Sequence, residues 1–339
     1  MSTSKSKNIR IAINGFGRIG RTTFKAGWGM KGIEFVAVND LTDPQTLAYL
    51  LKHDTIYRDW PHRISSTQDS LIVDGKKILA FAQKDPKLLP WGKLKIDIVL
   101  ECTGVFRTKE LAEQHLIAGA KKVIISAPAK GEGVNTYLLG VNAEKYKGET
   151  IIDNGSCTTN AIAPVAAIVE EKWGIKKAWM TTVHAYTADQ SLVDGPHKDL
   201  RRGRTAGQNI VPTTTGAAIA TGKVISSILG KFDGISLRVP ISVVSLADFT
   251  FFLKKPTTAE EANNYFKEVA KTPKYKNIVE VTEEQLVSSD FIGKPFSAII
   301  DLNLTKVIDG DLLKVIVWYD NEWGYSCRLI ELAKQIGTK

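Results

Sequence analysis

The chain has 339 residues, 43% hydrophobic and 24% charged, a balance that excludes a disordered or fibrous polypeptide and suits a globular protein of about two domains. Its formal net charge of +9 fits anionic partners, whether nucleic acid, an acidic membrane surface or phosphorylated small molecules, and does not choose among them. No apolar run approaches the roughly 18 residues needed to span a bilayer, since VSLADFTFFL is interrupted by Asp248 and followed by Lys254 and Lys255. The polar start MSTSKSKN lacks the hydrophobic stretch of a secretory signal and reads as a short frayed arm. A cytoplasmic location is expected.

From residue 9 the order is strand, glycine loop, helix, strand: IRIAIN, GFGRIG, a helical stretch from Arg21 to about Lys31, then EFVAVND. A lone GxGxxG is a weak signal. Here Gly15, Gly17 and Gly20 follow an apolar strand directly and open a helix, and Asp40 ends the next strand twenty residues after Gly20, which is the context of a dinucleotide site. Gly15 permits the tight turn, Gly17 lets a pyrophosphate approach the backbone and Gly20 allows close packing, while the N–H groups of the helix start face the phosphate. The Asp40 carboxylate accepts from ribose hydroxyls and repels a 2′-phosphate, so NAD is favoured over NADP.

The pattern continues with DIVLECTG (97–104), a helix from Lys109 to about Ala118 and KKVIISAPA (121–129). Strands alternating with helices indicate a parallel sheet covered on both faces, with ligands at the carboxyl ends of its strands. Thr103, Gly104 and Ser126 fall at such ends, either as nucleotide neighbours or as turn residues.

Three cysteines, Cys102, Cys157 and Cys327, lie far apart with no CxxC spacing, which argues against a disulfide framework or a structural zinc site; no metal is expected. A single cysteine is most often a small buried hydrophobe, and Cys102 and Cys327 fit that reading. Cys157 differs: after TIIDN the chain reads Ser156-Cys157-Thr158-Thr159-Asn160 and then AIAPVAAIVEEKWG, a helix stopping at Gly174. With Ser156 as N-cap, Cys157 lies in the first turn, where the helix dipole favours the reactive thiolate. A nucleophile needs a proton acceptor, and His184 in WMTTVHAYTADQ is a candidate. On pattern alone a lone strand histidine is more often structural than catalytic.

Taken together, NGFGRIGR, VNDL, SAPAK, SCTTN, VHAYT, PTTTGAA, RVP and WYDNEWGYS, in this order, closely resemble the phosphorylating glyceraldehyde-3-phosphate dehydrogenases of glycolysis. The resemblance covers essentially the whole chain. It implies a Rossmann-type NAD-binding domain (residues 1–156, with the helix in 321–339 packing back on it) and an α+β catalytic domain with a mixed or antiparallel sheet (157–320). It implies oxidation of D-glyceraldehyde 3-phosphate to 1,3-bisphosphoglycerate, with Cys157 forming a thiohemiacetal and then a thioester that inorganic phosphate cleaves, and His184 as base. By motif match, Thr187 and Arg238 fit the substrate-phosphate site and Ser156, Thr158, Thr215 and Gly216 the inorganic-phosphate site. Arg202 resembles a further phosphate contact or a solvated or inter-subunit arginine. Arg18, Ile19, Asp40, Lys84 and Ser126 match the family's NAD positions, Asn321 the residue holding the nicotinamide carboxamide, and Tyr325 packs nearby. Pro196 resembles the NAD-preferring pattern, whereas Gly195 stands where many bacterial members have leucine. A homotetramer is implied, with the loop from about Asp189 to Thr205 at a subunit interface.

The sequence departs from the family pattern at Ile241-Ser242-Val243, usually Thr-Pro-Asn, at Ile219, usually lysine, and in DNGSC for the commoner NASC. Erythrose-4-phosphate dehydrogenase shares the fold, SCTTN and the histidine, but normally lacks the Tyr-Thr kept here as Tyr186 and Thr187. A non-catalytic protein binding nucleic acid or membrane through its basic surface would need neither Cys157 nor His184, and no RNA-binding signature is present, so nucleic acid enters only as a secondary role.

Overall fold

A computed structural model describes residues 8–338; the expected N-terminal arm, residues 1–7, lies outside them. Two compact units divide the described chain. The first runs to Tyr137 and adds Lys145–Gly155 and the segment from Ser326 on, and the second comprises Leu138–Glu144 and Ser156–Tyr325.

In the first unit the strands are β1 (Ile9–Asn14), β2 (Ile33–Asn39), β3 (Ile64–Thr67), β4 (Ser70–Val73), β5 (Lys76–Phe81), β6 (Ile98–Glu101), β7 (Lys122–Ile125), β8 (Asn135–Thr136) and β9 (Ile151–Asp153), and the helices are α1 (Arg18–Gly27), α2 (Pro44–Lys52) and α3 (Lys109–Ile117). The sheet order is β3-β4-β5-β2-β1-β6-β7-β9-β8. Pairing is parallel from β5 through β8, and the β3–β4–β5 edge is antiparallel. All four residues of β6 are buried, as a strand covered on both faces requires. The expected parallel α/β sheet is the observed one.

The first helix differs from its expected span. It begins at Arg18, with Gly17 as N-cap, and ends at Gly27. Arg21 N already donates to Gly17 O at 3.0 Å, and extended Trp28 followed by Gly29 at φ +79° stops the helix before Lys31. Gly20 is therefore inside the helix, where a Cβ would stand 2.2 Å from Gly15 O. Helix and loop touch backbone to backbone, and only glycine allows it. The C-terminal segment packs in the same close way: a Cβ on Gly27 would meet Ile330 at 2.8 Å, and Lys122 Nζ donates to Ile336 O at 2.7 Å.

The second unit carries α4 (Cys157–Lys172), β10 (Ile175–Ala185), β11 (Val211–Thr214), α5 (Ala217–Val224), β12 (Phe232–Val239), β13 (Ser245–Leu253), α6 (Ala259–Val269), β14 (Val279–Thr282), β15 (Ala298–Asp301), β16 (Lys306–Ile308) and β17 (Leu312–Tyr319). Its sheet runs β11-β12-β10-β13-β17-β15-β14. β10/β12 and β14/β15 are parallel and the other pairs antiparallel, so the sheet is mixed, as expected. Along β13 every second residue is buried, the period of a strand with one face on a core. That core includes α4, buried continuously from Thr158 to Val169, with Phe249, Phe251 and Phe266. A helix apolar on all sides belongs in an interior.

The strand before α4 ends on a buried acid. Asp153 is 1% exposed and accepts from Gly155 N at 2.7 Å, Ala129 N at 3.2 Å and Thr136 Oγ1 at 3.0 Å. Burial outweighs these bonds and pushes its carboxyl up to about 6. A raised folded-state value means that the stabilising contribution is present at low pH and is lost as pH rises through about 6. The Asp153 carboxyl carbon is therefore expected to titrate near pH 6 in an NMR pH series; a midpoint near about 4, the value of a free aspartate, would contradict it.

Candidate active site

At the carboxyl ends of β2, β1 and β6 the first unit holds a cavity of about 870 Å³, lined by Gly15, Gly17, Asp40, Lys84, Thr103 and Phe106 among others. The size is that of a small-molecule site. Its glycines behave unequally. A Cβ on Gly15, at φ +88°, would stand 2.6 Å from Thr103 N, whereas a Cβ on Gly17 would have nothing within 4 Å. Gly15 is needed for the turn, and Gly17 leaves open space over the helix start, a position suited to an anion. Asp40 follows β2 directly, with Oδ2 accepting from Phe16 N at 2.8 Å and Oδ1 from Thr42 N at 3.0 Å. Each oxygen keeps a further lone pair, so the carboxylate is fixed in place with capacity left for ribose hydroxyls. These features fit a dinucleotide.

The other expected cofactor residues are placed differently. Arg18 Nη1 pairs with Asp54 at 2.8 Å and its guanidinium lies over the Tyr57 ring. Ile19 is partly buried on α1. Ser126 follows β7 and its N–H donates to Glu101 O at 2.9 Å. Asn321 and Tyr325 belong to the second unit, both buried, with Asn321 Oδ1 accepting from Ser245 Oγ at 3.1 Å.

In that unit Ser156 caps α4, its Oγ accepting from Thr159 N at 3.0 Å, and Cys157 is the first helical residue. His184, near the end of β10, brings Nε2 to 3.5 Å from Cys157 Sγ. The parallel register of β10 and β12 sets His184 opposite Arg238. Arg238 Nη1 lies 2.9 Å from His184 Nδ1, which is also 2.7 Å from Ala185 O. A guanidinium only donates and a carbonyl only accepts, so the two neighbours favour different tautomers. With the proton on Nδ1, donated to Ala185 O, Nε2 offers its lone pair to the thiol. Arg238 Nη1, 3.1 Å from the same carbonyl oxygen, donates to it as well.

The electrostatics correct one expectation. The helix start does not by itself give a standing thiolate: burial pushes the Cys157 thiol above its ordinary value, with the Arg238 charge the main influence in the opposite direction. Burial, and after it the Arg238 charge, push the His184 imidazole down to about 3. The resting pair is thiol and neutral imidazole, poised for proton transfer. Cys102 is of another kind, raised by burial to about 12, and Cys327 is buried.

Around the thiol, Thr158 Oγ1 lies 3.9 Å from Sγ and 3.2 Å from Tyr319 Oη, which also bonds Thr182 Oγ1 at 2.8 Å. The Tyr319 ring meets the His184 ring edge-on at 6.1 Å. Thr187 is half-buried just after β10. Thr215 Oγ1 accepts from Ala217 N at 3.2 Å, and Gly216 is the N-cap residue of α5. Arg202 is held by Asp189 at 2.5 Å, by Asp199 at 3.4 Å and by Thr213 Oγ1 at 2.8 Å. Arg238 Nε, by contrast, is a buried donor with no hydrogen bond among the described residues.

The departures lie close by. Ile241 O accepts from Tyr186 N at 3.1 Å, so the altered loop still braces the chain beyond His184. Buried Val244 takes a left-handed φ of +69°, which costs a β-branched residue about 1–2 kcal/mol. Ile219 is 56% exposed. Sequence reasoning missed Tyr319 and the side chains beneath the nucleotide cavity. Glu101 carried a signal that was passed over, a lone acid inside the apolar run DIVLECTG.

A dinucleotide-binding fold and a histidine-paired cysteine on one chain are the parts of a thiol-dependent dehydrogenase. The sequence matches two family descriptions, "Glyceraldehyde 3-phosphate dehydrogenase, NAD binding domain" over residues 9–109 and "Glyceraldehyde 3-phosphate dehydrogenase, C-terminal domain" over residues 156–321. It is 49% identical over 334 residues to glyceraldehyde-3-phosphate dehydrogenase of Streptomyces coelicolor, covering 98% of this chain and 99% of that one. It is 52% identical over 325 residues to that of Thermotoga maritima, covering 95% and 97%, and 48% identical over 333 residues to glyceraldehyde-3-phosphate dehydrogenase 2 of Bacillus subtilis, covering 98% and 97%. The chain belongs to the glyceraldehyde-3-phosphate dehydrogenase family, and its cofactor is NAD.

Two outcomes follow from this geometry. Gly17→Ala is expected to fold and to bind NAD at least tenfold more weakly, whereas Gly20→Ala, driving a Cβ into Gly15 O, is expected to lose about 2 kcal/mol or more in urea unfolding; equal effects of the two would contradict the separate duties. His184→Asn is expected to slow iodoacetamide labelling of Cys157 at pH 7 by tenfold or more, read by peptide mass spectrometry, with Cys102 and Cys327 lagging in both proteins.

Proposed function

We propose that this chain oxidises D-glyceraldehyde 3-phosphate with NAD and inorganic phosphate to 1,3-bisphosphoglycerate, as a glycolytic and gluconeogenic enzyme. The observation that carries the reading of the chemistry is the 3.5 Å approach of His184 Nε2 to Cys157 Sγ in a chain of this family. Cys157 is the nucleophile and His184 its base. As Sγ adds to the aldehyde carbon, the thiol proton passes to Nε2, and the imidazolium that forms is held by Nδ1–H on Ala185 O. The imidazolium returns that proton to the new alkoxide oxygen, which gives the thiohemiacetal; a bound NAD would supply the hydride acceptor, and Nε2 would take the hydroxyl proton as the thioester C=O forms. The thioester left on Cys157 retains the oxidation energy until phosphate attacks it.

Two anion sites are needed. The orphan Nε of Arg238 and the Thr187 hydroxyl support the substrate-phosphate site. For the attacking phosphate we propose Ser156, Thr158, Thr215 and Gly216, with N–H groups at the starts of α4 and α5 contributing. Arg202 adds positive potential tempered by its two carboxylates. Residues 1–156 with 321–339 are proposed as the NAD domain and 157–320 as the catalytic domain. Gly15, Gly17, Arg18, Ile19, Gly20, Asp40, Lys84 and Ser126 are proposed to contact NAD, with Asn321 on its carboxamide and Tyr325 adjacent. Asp40 disfavours NADP.

A homotetramer is proposed, supported by the family and by exposed apolar side chains in and near the 189–205 loop, where Leu192 and Leu200 are each 84% exposed. No helix among the described residues is long and apolar enough to cross a membrane, and a cytoplasmic location accords with the reading. The full-length identities favour neither erythrose-4-phosphate dehydrogenase nor a non-catalytic binding protein.

Purified enzyme is expected to reduce NAD with glyceraldehyde 3-phosphate in a phosphate-dependent manner, and Cys157→Ser to lose at least about 10⁴-fold in rate while still binding NAD. Faster turnover of erythrose 4-phosphate, or undiminished steady-state turnover without phosphate, would overturn the assignment.

A further inference from the structure

Beneath the nucleotide cavity lies a buried acid that the reaction does not use. Glu101, at the end of β6, is 1% exposed, and His115 on α3 is fully buried beside it. The protonation of the pair follows from its neighbours. Trp91 Nε1, which can only donate, lies 3.1 Å from His115 Nδ1, so Nδ1 is an acceptor and the ring proton resides on Nε2. Nε2–H then donates to Glu101 Oε2 at 3.1 Å. Asn14 Nδ2 donates to the same oxygen at 2.6 Å, and the other oxygen accepts from Thr103 N at 2.8 Å and from the Thr103 hydroxyl. The carboxylate is thus held by four donors.

These donors form the cavity wall. Asn14 and Thr103 both line the cavity, and the Thr103 turn is the surface against which Gly15 packs, where a Cβ would come within 2.6 Å. The chain of bonds continues outward: Asn39 Nδ2 donates to Asn14 Oδ1 at 2.7 Å, and Asn39 Oδ1 accepts from Gln83 N at 2.9 Å. The ends of β2, β1 and β6 are joined by side chains as well as by the sheet. A buried carboxylate contributes less stability than apolar packing of the same volume, and here it fixes the parts that shape the cavity.

We infer that His115 is a positioning residue of the NAD site: its Nε2–H orients the Glu101 carboxylate, which sets Thr103 and Asn14 against the glycine turn. The inference rests on the cavity being the NAD site. The test is calorimetric NAD binding and steady-state kinetics on the full-length enzyme. His115→Leu is expected to weaken NAD binding and raise KM for NAD about tenfold with less than a twofold change in kcat. His115→Gln, whose amide can donate to Glu101 and accept from Trp91, is expected to restore both values to within about threefold. If His115→Leu does not fold, Glu101→Gln, which keeps the shape but turns one acceptor into a donor, is expected to weaken NAD binding similarly. Wild-type NAD affinity in the variant that folds, a loss spread evenly over kcat and both KM values, or no rescue by glutamine overturns the inference. Failure of the unmodified enzyme to bind NAD would instead overturn the reading of the cavity.

Discussion

The chemistry of the second unit depends on the parallel pairing of β10 with β12. That register puts His184 and Arg238 side by side, and the cation affects the pair in two ways. It disfavours an imidazolium and favours a thiolate, and it shares Ala185 O as an acceptor with the ring. Burial opposes both charges. The proton therefore rests on sulfur, and its transfer to Nε2 accompanies attack on a substrate carbon. Tyr319, tying Thr158 to Thr182, joins α4, which begins at Cys157, to β10, which carries His184.

The first unit uses a different device, backbone closeness. Gly20 against Gly15 O and Gly15 against Thr103 N leave no room for side chains, so steric exclusion limits the freedom of the glycine turn. Polar groups are then added where rigidity is insufficient: Asp40 clamps the turn through Phe16 N, and Glu101 clamps its neighbour. Both carboxylates lie near a site for a ligand whose own phosphates are negative. Each accepts from N–H or O–H donors on both oxygens, which offsets part of its charge beside the helix start.

Much of this was legible in the sequence, and the reasons are local. The glycine spacing, the Asp40 offset and the Ser156 cap are short-range patterns with one physical solution each, and all three appear where the residues placed them. The span of α1 was misread because Gly20 looked like a helix boundary, whereas its role is to let an established helix touch the loop. His184 could not be assigned from its strand, since what distinguishes it from a structural histidine is the approach of Cys157, twenty-seven residues away. The dipole argument for the thiol was incomplete for a related reason: it uses the position in a helix, and burial is a property of the packed core. Glu101 and His115 were hidden because a buried polar network is recognisable only when every partner is known.

Oxidation is proposed to pass through a covalent bond to Cys157. Intact-protein and peptide mass spectrometry of enzyme quenched after mixing with glyceraldehyde 3-phosphate and NAD, with phosphate withheld, tests it most directly. The account predicts one phosphoglyceroyl group per chain on the Cys157 peptide, formed together with a stoichiometric burst of NADH and discharged when phosphate is added. NADH formed with Cys157 unmodified, or the acyl group found on Cys102 or Cys327, would contradict it.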